Sequence, residues 1–369
     1  MKLKRFTAEG YRNIEKCDIS FDSGVNLFIG GNAEGKTNVV EGIYLFARGR
    51  SFRSSDDKEL VGFGRDGFRI AIEYEDNDGT QTLEYALFGK NRIRKKNGYR
   101  LNGVGEMLGN FRAVLFYPDD LRLVKGEPEE RRAFLNVALS QYRTAYLSNY
   151  KNFKSALENR NTLLKNASKG RYYDEGELIA WSEAMAEYSC EIFTARKEYV
   201  KLLEKYAKEH MNELSCGQEN LELAYKSDIA EDALGKDEVK NEYRRVLTEN
   251  LEKEKLVGTS LYGPQRDDLI IKLNGKPARS FASQGQQRSV VLVLKLAEGE
   301  VIKEIYGEYP VFLFDDVLSE LDEDRRTYVK GKIKKMQTVI TSCESTDGLS
   351  EDDANVILVK GGNYVSSHR

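Results

Sequence analysis

Gly30-Gly31-Asn32-Ala33-Glu34-Gly35-Lys36-Thr37 fits the pattern G-x-x-x-x-G-K-[ST]; it directly follows the apolar run Val25 to Ile29 and precedes a helical stretch from Asn38 to Phe46. The pattern works only where a strand hands the chain through a tight loop into a helix, so it fixes a strand–loop–helix unit near the start of the chain. Glycines let such a loop turn its N–H groups inward around a phosphate. Lys36 has the reach for β- and γ-phosphates, and the Thr37 hydroxyl can ligate Mg²⁺. All eight residues are candidate nucleotide contacts.

A second element lies almost 300 residues away. Val311-Phe312-Leu313-Phe314-Asp315-Asp316 is an apolar strand ending in two acids. A buried strand that delivers a carboxylate to its C-terminal edge supplies the other side of a Mg²⁺ site, which assigns Asp315 to the metal with Thr37. Asp316 is placed to orient or deprotonate an attacking water. Lys36, Asp315 and Asp316 are therefore the catalytic candidates.

With 40% hydrophobic and 32% charged residues among 369, disorder and collagen-like classes are excluded, and the length suits two or three units. The 57 Lys plus Arg against 60 Asp plus Glu leave a net charge of −3, so phosphate affinity would need basic residues gathered on one face. Cys17, Cys190, Cys216 and Cys343 lie far apart, and with only His210 and His368 to join them they form neither a zinc pattern nor a disulfide framework. No stretch approaches the roughly 18 apolar residues that cross a bilayer, and no apolar run follows the basic start. The expectation is a cytoplasmic protein with no membrane partner.

Hydrophobic spacing organises the rest. Phe68, Ile70, Ile72 and Tyr74 alternate up to the turn Asn77-Asp78-Gly79, and Leu83, Tyr85 and Leu87 alternate after it, which predicts a β-hairpin. Cys17 to Phe21 and Ala113 to Phe116 are further strands. From about Glu127 the period changes to threes and fours through Leu135, Leu139, Tyr142, Tyr146, Tyr150, Phe153, Leu157 and Leu164, which reads as one long helix. After a break at Ser168 to Gly176 it resumes from Leu178 to Tyr206, predicting an antiparallel helical hairpin of about 50 Å. Strand signals return at Leu269 to Leu273. The division expected is a head of residues 1–124 and 256–369, with a helical arm lobe, 125–255, inserted.

Ala282-Ser283-Gln284-Gly285-Gln286-Gln287-Arg288 opens a helix-like run from Val290 to Ile305, and Val317-Leu318-Ser319-Glu320-Leu321-Asp322 follows the acidic strand. This layout resembles the ATP-binding-cassette ATPases. The resemblance implies that Ser283, Gly285 and Gln286 complete the nucleotide site of a partner protomer and that Asp322 belongs to the dimer-facing loop.

The match narrows to the RecF family within the SMC-like members of that superfamily. Tyr11-Arg12-Asn13, Gly35-Lys36-Thr37-Asn38 running into Glu41, and Gly49-Arg50-Ser51-Phe52-Arg53-Ser54 resemble RecF sequences. So do Tyr117-Pro118-Asp119-Asp120-Leu121, Arg131-Arg132, Arg160-Asn161-Thr162-Leu163-Leu164-Lys165 and Tyr262-Gly263-Pro264-Gln265-Arg266-Asp267-Asp268. The resemblance implies an α/β head with an inserted antiparallel arm lobe, ATP and Mg²⁺ as cofactors, and a weak, DNA-stimulated ATPase. It implies ATP-dependent homodimers that bind single-stranded, double-stranded and gapped DNA, act with RecO and RecR in recombinational repair and fork restart, take part in the SOS response, and associate with the nucleoid. Arg12, Asn13 and Asn38 are carried over as nucleotide contacts.

Departures are specific. Ala33 and Gln284 replace glycines, Gln265 replaces the family's usual His, and Thr341-Ser342 stands where transporter ATPases place a switch His. No Q-loop glutamine is evident near Phe116-Tyr117-Pro118. Asp316 stands where transporters carry Glu, and its shorter reach predicts slow hydrolysis. Basic runs at Arg48, Arg50 and Arg53, and at Arg92, Arg94, Lys95 and Lys96, are candidate DNA contacts through sequence-independent phosphate binding. Competing readings are a transporter motor subunit, disfavoured by the inserted hairpin and absent switch His, and an SMC-type chromosome organiser, disfavoured by the short arm. A nuclease fusion is disfavoured because only a short tail follows Asp322.

Overall fold

The computed structural model describes residues 1–229, 235–343 and 354–366; His368 lies outside them. The chain forms two compact units, one of residues 1–124, 206–220 and 282–369, the other of 125–205 and 221–281.

Two sheets build the first unit. An antiparallel sheet carries β1 (Lys2–Tyr11), β2 (Ile14–Ser20), β4 (Gly67–Asp76), β5 (Gly79–Phe88), β6 (Asn91–Lys96) and β7 (Tyr99–Arg100) in the order β2-β1-β4-β5-β6-β7. The β4–β5 hairpin closes where Asp76 faces Gly79, at the turn read from sequence. A mostly parallel sheet carries β3 (Val25–Ile29), β8 (Ala113–Phe116), β12 (Val311–Asp315), β13 (Thr338–Ser342), β14 (Ala354–Lys360) and β15 (Asn363–Ser366) in the order β15-β14-β3-β13-β12-β8. Every residue of β8, β12 and β13 is buried, as expected for strands covered on both faces. Helix α1 (Lys36–Arg48) packs on β8, β12 and β13, and α10 (Gln284–Tyr306) packs on β8. The short helices α2 (Val104–Met107) and α3 (Arg122–Lys125) follow β7 and β8, and α11 (Glu323–Ile333) follows β12.

Register decides what the parallel sheet presents. Ile29 pairs with Ser342, Thr341 with Asp315, and Phe314 with Phe116. The C-terminal ends of β3, β13 and β12 therefore lie side by side, the edge at which open α/β sheets hold ligands.

The second unit contains α4 (Pro128–Tyr142), α5 (Thr144–Ser168), most of α6 (Glu175–Leu214), α7 (Lys236–Glu249), α8 (Leu251–Val257), α9 (Ala278–Phe281) and a small sheet of β9 (Leu221–Lys226), β10 (Asp268–Leu273) and β11 (Lys276–Pro277). Stacking of Tyr142 on Tyr199, Arg196 on Tyr146 at 3.1 Å, and Arg160 on Ser182 at 2.9 Å pairs rising numbers on α4 and α5 with falling ones on α6. Those helices run antiparallel. Arg160 and Glu254, both fully buried, meet at 2.6 Å, and Arg160 also donates to Ser260 at 2.7 Å, so the Arg160 motif is part of this unit's interior.

The single helix expected from Glu127 to Leu164 is two. Arg143 is extended (φ −126, ψ 92); its N–H closes α4 on the Leu139 carbonyl and its own carbonyl starts α5 at Tyr146. One extended residue leaves the three-and-four spacing of apolar residues intact, so periodicity cannot register the break. The helical lobe also contains strands, because β9 pairs with β10 from Leu221↔Leu273 to Lys226↔Asp268, drawing 256–281 into the second unit. Residues 206–220 fall in the first unit instead.

Candidate nucleotide site

The loop between β3 and α1 is shaped by two glycines in particular. A Cβ on Gly30 would stand 2.3 Å from the Val359 carbonyl oxygen, and Gly35 takes φ +114, so neither position tolerates a side chain without displacement. The loop is tied to the β14–β15 turn, since Glu34 accepts from the Gly361 N–H, Gly362 N–H donates to the Glu34 carbonyl at 3.0 Å, and the Tyr364 hydroxyl donates to the Gly35 carbonyl at 3.1 Å. Ala33 adopts φ 66 without a glycine.

Lys36 is 4% exposed, and its ammonium donates to the carbonyls of Gly30 at 2.8 Å and Gly31 at 2.9 Å. Thr37 Oγ1 donates to Asp315 Oδ1 at 3.0 Å, which sets the two proposed metal-binding oxygens side by side across 278 residues of sequence. Burial pushes the Asp315 carboxyl above the usual range; hydrogen bonds from Thr341 and Thr37 oppose this and the neighbouring Asp316 charge adds to it. A carboxylate so placed gains from a cation, and the Thr37–Asp315 pair fits Mg²⁺ by donor type. The loop fits a triphosphate by its positive-φ glycine and by Lys36.

Asp316 is a non-glycine in the left-handed region, φ 53, a conformation Asp tolerates better than most. It is held there by Thr341, whose hydroxyl accepts from the Asp316 N–H at 3.0 Å and donates to Asp315 Oδ1 at 2.8 Å. In the sequence, Thr341 stands out only as the residue at the place of a switch histidine. The signal for its role is register: Thr341 lies opposite Asp315 on the neighbouring strand. Cys343, unassigned from sequence, donates to Asn32 Oδ1 at 2.8 Å and lies 3.4 Å from Lys36 Nζ.

Asn13, Asn32, Ala33, Gly35, Lys36, Thr37, Asn38, Arg53 and Asp316 line one recess of ≈ 290 Å³. Asn38 donates to Asn13 Oδ1 at 2.6 Å. Arg53, read as a DNA contact, stands in this wall and donates to Asn38 Oδ1 at 2.8 Å. Arg12, expected as a nucleotide contact, is not among the residues lining it: its guanidinium forms a bidentate pair with the fully buried Glu41 at 2.9 and 2.7 Å and reaches the Glu59 carbonyl at 2.8 Å.

A second cluster holds the signature residues. Ser283 caps α10, its hydroxyl accepting from Gln286 N–H at 3.2 Å while Gln286 Oε1 accepts from Ser283 N–H at 2.8 Å. Asp322 caps α11, accepting from the Arg325 N–H at 3.0 Å. Arg325 donates to Ser289 at 2.6 Å and Arg288 to the Glu320 carbonyl at 2.8 Å, binding the two caps into one surface. Gly285 lies beside the Arg325 guanidinium. Among the described residues, no hydrogen bond joins Ser283, Gly285, Gln286 or Asp322 to the phosphate loop.

The basic run on β6 is divided between the two faces of its sheet, as strand alternation requires. Arg92 pairs with Asp57 at 2.7 Å and Arg94 lies over the Tyr85 ring at 4.8 Å. Lys96 donates to Asn110 at 2.7 Å, while Lys95, on the other face, pairs with Glu84 at 3.5 Å. Arg50 follows α1 and is exposed. Among the described residues no helix is long and apolar enough to cross a membrane.

Residues 2–363 match the family described as the RecF/RecN/SMC N terminal domain. A protein of Macrococcus caseolyticus named DNA replication and repair protein RecF is 38% identical over 96% of each chain. One of Clostridium kluyveri with the same name is 36% identical over 98% of this chain and 99% of its own. A solved structure titled as the recombination mediator protein RecF-ATP in the RecFOR pathway superposes with a TM-score of 0.91 at 32% identity, covering 99% of this chain and 97% of that one. An SMC head domain from Pyrococcus furiosus, at 16% identity and TM-score 0.58, shares the fold.

Proposed function

The chain belongs to the RecF family, and we propose that it is an ATP-switched clamp on DNA in recombinational repair and replication-fork restart, working with RecO and RecR and in the SOS response. Two protomers close on ATP, each presenting Ser283, Gly285 and Gln286 to the nucleotide held by the other's loop, with Asp322 at the joint. The observation that carries this reading is the separation of two incomplete halves within one chain. The recess beside Lys36 contains phosphate-binding and metal-binding groups, while Ser283 is exposed at the capped end of α10 and, among the described residues, no hydrogen bond ties that cap to the recess.

Thr37 and Asp315 would hold Mg²⁺, which when bound offsets charge on the β- and γ-phosphates. Lys36 exchanges its carbonyl partners for phosphate oxygens. Asp316, fixed by Thr341, orients the attacking water, and its short side chain makes hydrolysis slow and the ATPase weak until DNA stimulates it. Arg50, Arg92, Arg94, Lys95 and Lys96 are the proposed phosphate-backbone contacts, with Arg53 shared between that surface and the recess wall. A DNA role for the β6 residues requires exchanging their present acidic and aromatic partners for phosphates, so affinity should be modest per residue and salt-sensitive. The chain would act in the cytoplasm, on single-stranded, double-stranded and gapped DNA of the nucleoid.

Retention of a gapped duplex, measured with and without ATP and Mg²⁺, tests the reading. The clamp predicts ATP-dependent retention that Asp316→Asn prolongs. Equal retention in both conditions would refute the switch.

A further inference from the structure

Gln286 has a second partner besides the serine it caps, and it comes from 67 residues upstream. Gln286 Nε2 donates to Glu219 Oε1 at 2.8 Å. Glu219 belongs to the segment 206–220, which lies in the same unit as α10 and α11. That segment is fastened to both helices: the Tyr206 hydroxyl donates to Glu304 of α10, His210 Nδ1 meets the Tyr328 hydroxyl of α11 at 2.8 Å, and Glu213 accepts from Tyr328 at 2.9 Å and pairs with Lys332. Glu219 is anchored in turn, its N–H donating to Ser215 Oγ at 3.0 Å and Ser215 Oγ to the Met211 carbonyl at 2.8 Å.

A carboxylate can only accept, whereas a glutamine amide has a donor end and an acceptor end of nearly the same shape. Glu219 therefore selects which end of Gln286 faces it. The NH₂ group is drawn to Glu219, and the carbonyl is left for the Ser283 N–H. Were the amide reversed, NH₂ would face N–H and the cap would lose its reciprocal bond. With the cap formed, Ser283 Oγ accepts from the Gln286 N–H and its own hydrogen is directed elsewhere.

We propose that Glu219 is a positioning residue for the signature loop, holding Ser283 in its donor-outward arrangement through the amide of Gln286. This rests on the reading that the loop completes a partner's nucleotide site, and it adds a residue outside every motif singled out in the sequence. Glu219 touches no nucleotide; it acts through Gln286.

The test uses the full chain and three readouts: dimer dissociation constant in ATP and Mg²⁺ by mass in solution, affinity of the single chain for a fluorescent ATP analogue, and hydrogen exchange at the Gln286 amide. Glu219→Ala should weaken the ATP-driven dimer by about tenfold, the scale of a hydrogen bond to a charged group, with analogue affinity within about twofold of wild type. Gln286→Glu sets two carboxylates face to face and should weaken the dimer at least as much. Glu219→Gln keeps an acceptor oxygen for the Gln286 NH₂ group without touching the loop and should recover most of the loss. Wild-type dimerisation in Glu219→Ala, or no recovery in Glu219→Gln, overturns the proposal. If the wild type stays monomeric, the trans reading falls, and Gln286 amide exchange decides the role of Glu219 separately: faster in Glu219→Ala supports it, unchanged overturns it.

Discussion

The recess around Lys36 and the capped end of α10 handle polar groups in opposite ways. In the recess, Lys36, Thr37 and Asp315 are satisfied by one another, by loop carbonyls and by Thr341, with Lys36 and Asp315 buried. At the α10 end, Ser283 and Gln286 cap each other, Gln286 is also held by Glu219, and Ser283 is exposed with Gln286 half-buried. A site that works alone hides its groups; one that works on a second copy displays them. On this account the first should fail by losing nucleotide, the second by losing the dimer.

Lys36→Ala should give the largest effect, weakening single-chain ATP affinity by roughly a hundredfold because a charge-assisted phosphate contact is removed, as read by titration with a fluorescent analogue. Ser283→Arg sharpens the contrast from the other side. It should abolish ATP-driven dimers, seen by mass in solution, and leave analogue affinity within about twofold. If Ser283→Arg instead weakened nucleotide binding by the single chain, the division into two halves would collapse.

A pH experiment probes the packing under the second cluster. Burial chiefly holds His210 at about 4, below its usual 6.5. The unfolded chain therefore binds the extra proton first as pH falls, so this contribution to stability is full above about 6.5 and is lost toward 4. By linkage the loss between pH 7 and 5 is about 2 kcal/mol, and His210→Gln should flatten that part of a urea-midpoint profile. A profile as steep in the variant would place the titration elsewhere. The smallest effect expected is at β6, where Arg94→Ala should lower the log–log salt slope of DNA binding by about one and leave dimerisation intact.

The recess was legible because its signal is local. Glycines at fixed spacing, a lysine and a hydroxyl follow one strand, and an apolar run ending in Asp315 needs only one further strand to bring it to Thr37. Thr341 was not legible, since its role depends on β13 lying between β3 and β12, and no local pattern encodes strand order. The partner of Arg12 was hidden for a related reason: a basic residue beside a nucleotide loop carries no local sign of the buried Glu41 that it pairs with. The helix break at Arg143 and the pairing of β9 with β10 escaped because one leaves periodicity unchanged and the other joins segments more than 40 residues apart. Glu219 carries no sequence signal at all, being one acid in the irregular stretch that leads into β9.

The most direct test of the two-halves account is molecular mass in solution with ATP and Mg²⁺ for wild type, Asp316→Asn and Ser283→Arg, with and without a gapped duplex. The account predicts a dimer for wild type, a longer-lived dimer for Asp316→Asn, none for Ser283→Arg, and DNA carried by the dimer alone. A single-chain mass for all three proteins, or DNA bound equally by the monomer, would contradict it.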